Sequence, residues 1–190
     1  MNRNVILAGV GGQGLLALAA VIGEAARGLG LHVRQAEVHG MAQRGGVVQS
    51  HLRYADRPIR SNLVRRGAAE LILALEPMEA LRYLPYLASD GAIVTSTAPV
   101  VNIPDYPDQA SVIAEIERQT TYRLIDAPAL AAEAGAAQAA NMVMLGAGAP
   151  FLGLPEASLV QAIEAFFTDK GAAVIDTNAR AFRLGFEAVG

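Results

Sequence analysis

Glycines dominate the stretch best suited to chemistry. Gly9, Gly11 and Gly14 hold the spacing G-x-G-x-x-G, Gly12 adds slack, and Gln13 is the polar side chain among them. An aliphatic run at residues 5–8 precedes the loop and reads as a buried strand. Leu15, Leu18, Ala19 and Ile22 follow at helical spacing. The loop therefore joins a strand to a helix start, where free N–H groups and the positive end of the helix dipole converge. Such a turn can receive a phosphate or a carboxylate, and glycine lets the ligand approach the backbone closely. The same spacing also suits a tight turn that binds nothing.

A second candidate covers residues 39–46. His39 offers an acid–base group, Gln43 an amide, Arg44 a bidentate anion contact, and Gly45 with Gly46 a pliable backbone. The segment follows an expected strand at residues 33–38, and open α/β sheets place ligands at the carboxyl ends of their strands. The other reading is a surface loop with a solvated arginine and a histidine that only hydrogen-bonds structurally. Glu37 stands 23 positions after Gly14. A dinucleotide fold uses an acidic residue about there for a ribose hydroxyl; a solvated strand-end carboxylate is the alternative.

These loops need elements to hold them. Further strands are expected at residues 47–54, 71–75, 92–95 and 122–125. The helix over 15–29 would join the first two strands in a right-handed βαβ unit. In 47–54, Val48, Ser50, Leu52 and Tyr54 share one face; Gln49, His51 and Arg53 share the other, which reads as wet or partner-facing. Pro77 suits the first turn of a helix running through residue 86, with Met78, Leu81 and Leu84 toward the core and Pro85 ending it. Residues 102–108 read as a loop and 111–119 as a helix. The stretches 129–138 and 141–149 are small-residue helices, suited to a subunit interface or to tight internal packing. Residues 155–167 are amphipathic, with Leu159, Ile163 and Phe166 in register. Residues 174–175 read as briefly extended, and Asp176 as the N-cap of a last helix through 189. The expected class is α/β: a three-layer, Rossmann-like open sheet, parallel or mixed, with an alanine-rich helical C-terminal part, in a single domain over residues 1–190.

Composition narrows the function. The chain has 190 residues, 53% of them hydrophobic, and a net charge of −3, which argues against a nucleic-acid partner. The charge is uneven: from Arg44 to Arg66, six arginines face one acid, Asp56, for a local +5. There is no cysteine, so no disulfide, thiolate metal site, iron–sulfur ligand or cysteine nucleophile can come from this chain. His32, His39 and His51 lack metal-site pairing, so no metal is expected. The uncharged run 5–23 after Arg3 mimics a signal peptide or membrane span, but the glycines and Gln13 inside it argue for a turn. A soluble, cytoplasmic protein that neither spans nor binds a membrane is the expectation.

Three motifs then occur in order: residues 6–14, residues 37–46 with His39-Gly40-Met41-Ala42-Gln43-Arg44, and residues 73–84 around Glu76-Pro77-Met78. Residues 141–146, starting at Asn141-Met142, add a fourth. Together they resemble the gamma-type component of 2-oxoacid:ferredoxin oxidoreductases over nearly the whole chain. The His39-Gly40-Met41 variant is most similar to the beta-type subunit of the indolepyruvate branch. The resemblance implies a subunit of an enzyme that oxidatively decarboxylates a 2-oxoacid to acyl-coenzyme A. Thiamine diphosphate and 4Fe–4S clusters would sit only on the large partner subunit, and ferredoxin would take the electrons. It implies no catalytic residue in this chain. Coenzyme A is the co-substrate, and Gly9, Gly11, Gly12, Gln13, Gly14, His39, Gln43, Arg44, Gly45 and Gly46 would meet either its phosphates or a partner surface. A homodimer stays open for the isolated chain. Two other readings compete: a free-standing NAD(P)-binding Rossmann-type domain, and a scaffold that binds no small molecule.

Overall fold

The computed structural model describes residues 1–39, 45–101 and 103–190, with the backbone alone of His39. Its strands are β1 (Asn2–Val10), β2 (His32–His39), β3 (Val47–Ala55), β4 (Ala69–Ala74), β5 (Leu87–Ser96) and β6 (Tyr122–Ile125). Its helices are α1 (Leu15–Gly28), α2 (Pro77–Arg82), α3 (Gln109–Glu117), α4 (Ala127–Ala134), α5 (Ala140–Leu152), α6 (Glu156–Phe166) and α7 (Ala172–Glu187).

One sheet runs in the order β2-β3-β1-β4-β5-β6. β3 is antiparallel to both β1 and β2, while β4, β5 and β6 continue parallel to β1. The sheet is mixed, and the expected three-layer α/β class holds. The first two strands are joined by α1 yet are not neighbours, because β3 enters between them. The first strand extends beyond the expected residues at both ends, since β3 pairs with it from Asn2 to Val10.

Alternate residues of the central parallel strands β1, β4 and β5 feed two cores. Val5, Leu7, Leu71, Leu73 and Val94 join a cluster with α1, α4, α5, α6 and α7. Ile6, Ala8, Ile72, Ala74 and Ile93 join a second cluster with α2, α3 and Val64. Both faces are therefore covered, which is why β1 and β4 read as continuous apolar runs rather than alternating ones. Tyr54 ties sheet to helix: its hydroxyl donates to the carbonyl of Leu152 at 2.6 Å.

α5 is buried from Asn141 through Ala149, so its small residues pack inside the chain. A Cβ added to Gly146 would overlap the Phe182 carbonyl, and one at Gly185 would overlap that of Val143. Two glycines thus let α5 and α7 cross with their backbones in contact.

Four expectations change. The face bearing Gln49, His51 and Arg53 is not wet: residues 56–68, a strap without regular structure, lie over it. His51 is 4% exposed and accepts the Val64 N–H on Nδ1 at 3.1 Å. Its ring and that of Tyr86 stand nearly perpendicular, with centroids 5.3 Å apart. Burial holds the His51 pKa below 6.5, as an acceptor Nδ1 requires. Residues 174–176 lie within α7, whose cap position is Gly171, not Asp176. The buried stripe Asn178, Ala181, Phe182 and Gly185 outweighs the β-branching of Val174 and Ile175. α2 stops at Arg82, and Pro85 sits in a separate 3-10 turn at Leu84–Tyr86. Phe166 is 44% exposed, leaving Leu159, Ala162 and Ile163 as the buried residues of α6.

Candidate functional site

The parallel strands end on one edge of the molecule. β1 leads to α1 and thence toward β2, whereas β4 leads to α2 and β5 on the other side. The chain thus turns opposite ways from adjacent strands, and the crevice between them is the usual ligand position of an open sheet. A cleft of about 330 Å³ occupies that place. Gly12 and Gln13 line it after β1, Leu75 after β4, Ser96 after β5, and Ala140 with Asn141 at the start of α5.

The glycine loop has an open half and a sealed half. Gly9 is buried in β1, and a Cβ there would lie 2.9 Å from Gln13 Oε1. Gln13 is spent on the scaffold. Its Oε1 accepts the Val10 N–H at 2.7 Å, and its Nε2 donates to the Leu75 carbonyl at 3.1 Å. Gly12 is exposed with φ 102, and a Cβ there would meet nothing within 4 Å. Gly14 caps α1 in the left-handed region, at φ 82. Among the described residues, the N–H groups of Gly12, Gly14, Leu15 and Leu16 have no hydrogen-bond acceptor. These are the orphan donors of a helix start.

The second candidate loop reaches the first. The Gly11 N–H donates to the Gly46 carbonyl at 2.8 Å, and the Gly45 N–H to the Gly11 carbonyl at 3.4 Å. The register sets the His39 backbone level with Gly9, two strands away. Gln43, Arg44 and the His39 side chain lie outside the described residues, as does the start of the expected loop at residue 102.

Asn141 was not singled out as a site residue by sequence reasoning. Its Nδ2 donates to the Gly14 carbonyl at 3.2 Å, and its Oδ1 accepts the Met142 N–H at 2.9 Å. It locks the starts of α1 and α5 together, so two positive helix ends face one cleft. Glu76, 1% exposed, is a second such residue. It caps α2 by accepting the Glu79 N–H at 2.8 Å, and it accepts the Val100 N–H at 3.4 Å and the Tyr106 hydroxyl. These bonds hold down the segment whose Ala98, Pro99 and Val100 wall the cleft. Burial first, then the hydrogen bond to Glu76, raises the Tyr106 pKa, keeping it a donor. A polar residue opening an uncharged helix and a Glu-Pro pair after a strand were the available signals.

No titratable side chain lines the cleft among the described residues. Its tools are backbone donors, helix dipoles, the three amides of Gln13, Gln138 and Asn141, and apolar walls, which bind and orient. Glu37 does not complete a dinucleotide site: it pairs with Ser50 of β3, level with Leu7 of β1. Two strand spacings, roughly 10 Å, separate it from β1.

Fold and cleft define a doubly wound α/β protein with its crevice at the topological switch point. The pyruvate ferredoxin/flavodoxin oxidoreductase family profile matches residues 4–188. The chain belongs to that family, as a subunit of a 2-oxoacid:ferredoxin oxidoreductase. It is 38% identical, over 99% of its length and 98% of the relative's, to the indolepyruvate oxidoreductase subunit IorB of Methanothermobacter thermautotrophicus. Two solved structures share the fold. The gamma subunit of a keto/oxoacid ferredoxin oxidoreductase from Geobacter sulfurreducens superposes with TM-score 0.72 at 22% identity, over 98% of each chain. The 2-oxoglutarate:ferredoxin oxidoreductase of Magnetococcus marinus, solved with 2-oxoglutarate, coenzyme A and succinyl-CoA, gives 0.78 at 21% identity, over 99% of this chain but 31% of that one. No helix among the described residues is long and apolar enough to cross a membrane.

Proposed function

We propose that this chain is the small subunit of an oxidoreductase acting on an aryl 2-oxoacid of the indolepyruvate type, and that its strand-end cleft receives an anionic part of coenzyme A. Thiamine diphosphate and the 4Fe–4S clusters belong to the large partner subunit, and ferredoxin accepts the electrons from the assembly. A chain without cysteine has no thiolate for a cluster. The observation that carries the reading is the meeting of the glycine loop, whose Gly12, Gly14, Leu15 and Leu16 N–H groups lack an acceptor, with the start of α5 beside a cleft that Gly12 and Asn141 line and that has no acidic lining among the described residues. Those residues suit phosphate oxygens, and the apolar wall of Pro99, Val100 and Met144 suits an uncharged arm. Gly45, Gly46 and Arg44 complete the anion receptor in this reading, with His39 and Gln43 as orienting groups; Gly9, Gly11 and Gln13 shape the loop.

The test is Ala140→Asp in the assembled complex. A carboxylate in the first turn of α5 suits the helix but repels an anion in the cleft. The KM for coenzyme A should rise roughly tenfold, about 1.4 kcal/mol, with subunit assembly unchanged. An unaltered KM would remove coenzyme A from this cleft and favour the scaffold reading.

A further inference from the structure

The arginine-rich stretch has a use that the cleft does not absorb. Arg53 turns inward: its Nε donates to Asn4 Oδ1 at 2.7 Å, and its Nη1 to the carbonyls of Ser61 at 2.9 Å and Leu63 at 3.4 Å. The strap over residues 56–68 is pinned at several more points. Arg34 Nε reaches the Ile59 carbonyl at 3.3 Å, the Gly67 N–H reaches that of Pro85 at 3.0 Å, and Val64 is held on His51. Within the strap, Ile59 and Val64 are buried.

The strap's own arginines point the other way. Arg57, Arg60, Arg65 and Arg66 are exposed, and none forms an ion pair among the described residues. Leu63, in their midst, is 54% exposed. Asp56, the one acid of the strap, is taken by the N-terminal ammonium. The next acid, Glu70, accepts the Asn4 N–H at 2.6 Å. The strap therefore carries four arginines and one aspartate, a net +3, on a chain of net −3.

We infer that this strap is a docking surface for a carboxylate-rich patch on the large partner subunit. The inference rests on the assembly proposed above. Arginines around an apolar side chain on a backbone already fixed have the composition of an interface centre, with little ordering entropy left to lose on binding. A second copy of this chain is a poor occupant, because a two-fold interface through the strap would set +3 against +3. Duplex nucleic acid is disfavoured by the acidic remainder of the surface. The strap joins the end of β3 to the start of β4, at the opposite end of the parallel strands from the cleft. Docking and ligand binding can therefore be broken separately.

The experiment compares the wild-type chain with Arg60→Glu/Arg65→Glu/Arg66→Glu by titration against the large subunit at several salt concentrations. Thermal melting confirms that the variant folds. Affinity should fall roughly tenfold or more in the variant, and the salt dependence of wild-type binding should flatten. Leu63→Ala, with all charges kept, should weaken binding less and leave the salt dependence intact. A folded charge-reversal variant that binds as tightly, with the same salt dependence, overturns the inference alone. So does a wild-type chain that binds a 20-base-pair duplex through these arginines, or a variant that alters only self-association. A wild-type chain that never binds the large subunit sinks the assembly itself, and this surface with it.

Discussion

Two pairs of glycines do opposite work. Gly12 and Gly14 sit in the loop after β1, both at positive φ, and Gly12 has open space where a side chain would go. Gly146 and Gly185 sit inside helices, where a Cβ would strike the backbone of the facing helix. The first pair is required by conformation beside a cleft, the second by contact inside a core. A loop built for conformation leaves N–H groups free to bind; a contact built for packing leaves nothing free and only holds the fold.

Breaking the second pair should have the largest effect. Gly185→Ala pushes α7 off α5 along rigid backbone, and should cost about 3 kcal/mol or more, the upper range for overpacked cores. Denaturant unfolding would measure it, and a loss below about 1 kcal/mol would mean that the helices separate easily. Gly14→Ala comes next. It meets Asn141 Nδ2 at 2.6 Å and an unfavourable φ of 82, for about 2 kcal/mol. Gly12→Ala has only its φ of 102 against it and should cost about 1 kcal/mol. It should disturb ligand affinity more than stability; the reverse ranking of these two variants would undo the contrast.

The smallest effect concerns pH. The folded His51 pKa lies below its ordinary 6.5, so the unfolded chain binds the proton more readily. Stability contributed by His51 is full above pH 6.5 and falls as pH drops from there through the folded value. His51→Phe should lose that slope. Unfolding curves between neutral and mildly acidic pH would read it, and an unchanged slope in the variant would assign the pH dependence to other groups.

Much of the scaffold was legible. The apolar runs at β1 and β4 marked central strands because both faces of each are buried. The position of β3 was not legible. Its pairing with β1 is a long-range choice that no local period records, and it is what sets Glu37 away from β1. The strap over His51 was hidden for a similar reason: irregular backbone carries no period, so the face beneath it looked wet. At the site, the glycine loop was visible from spacing. The cross-link that shapes it was not, because Asn141 and Gly14 are 127 residues apart.

The sequence by itself determined the elements, the strand-to-helix glycine turn and the motifs that mark the family, since each depends on neighbours along the chain. Tertiary structure decided the strand order, which glycines face open space, and which arginines turn outward. Those outcomes depend on groups that distant segments bring alongside, and a residue's type does not say what will stand next to it.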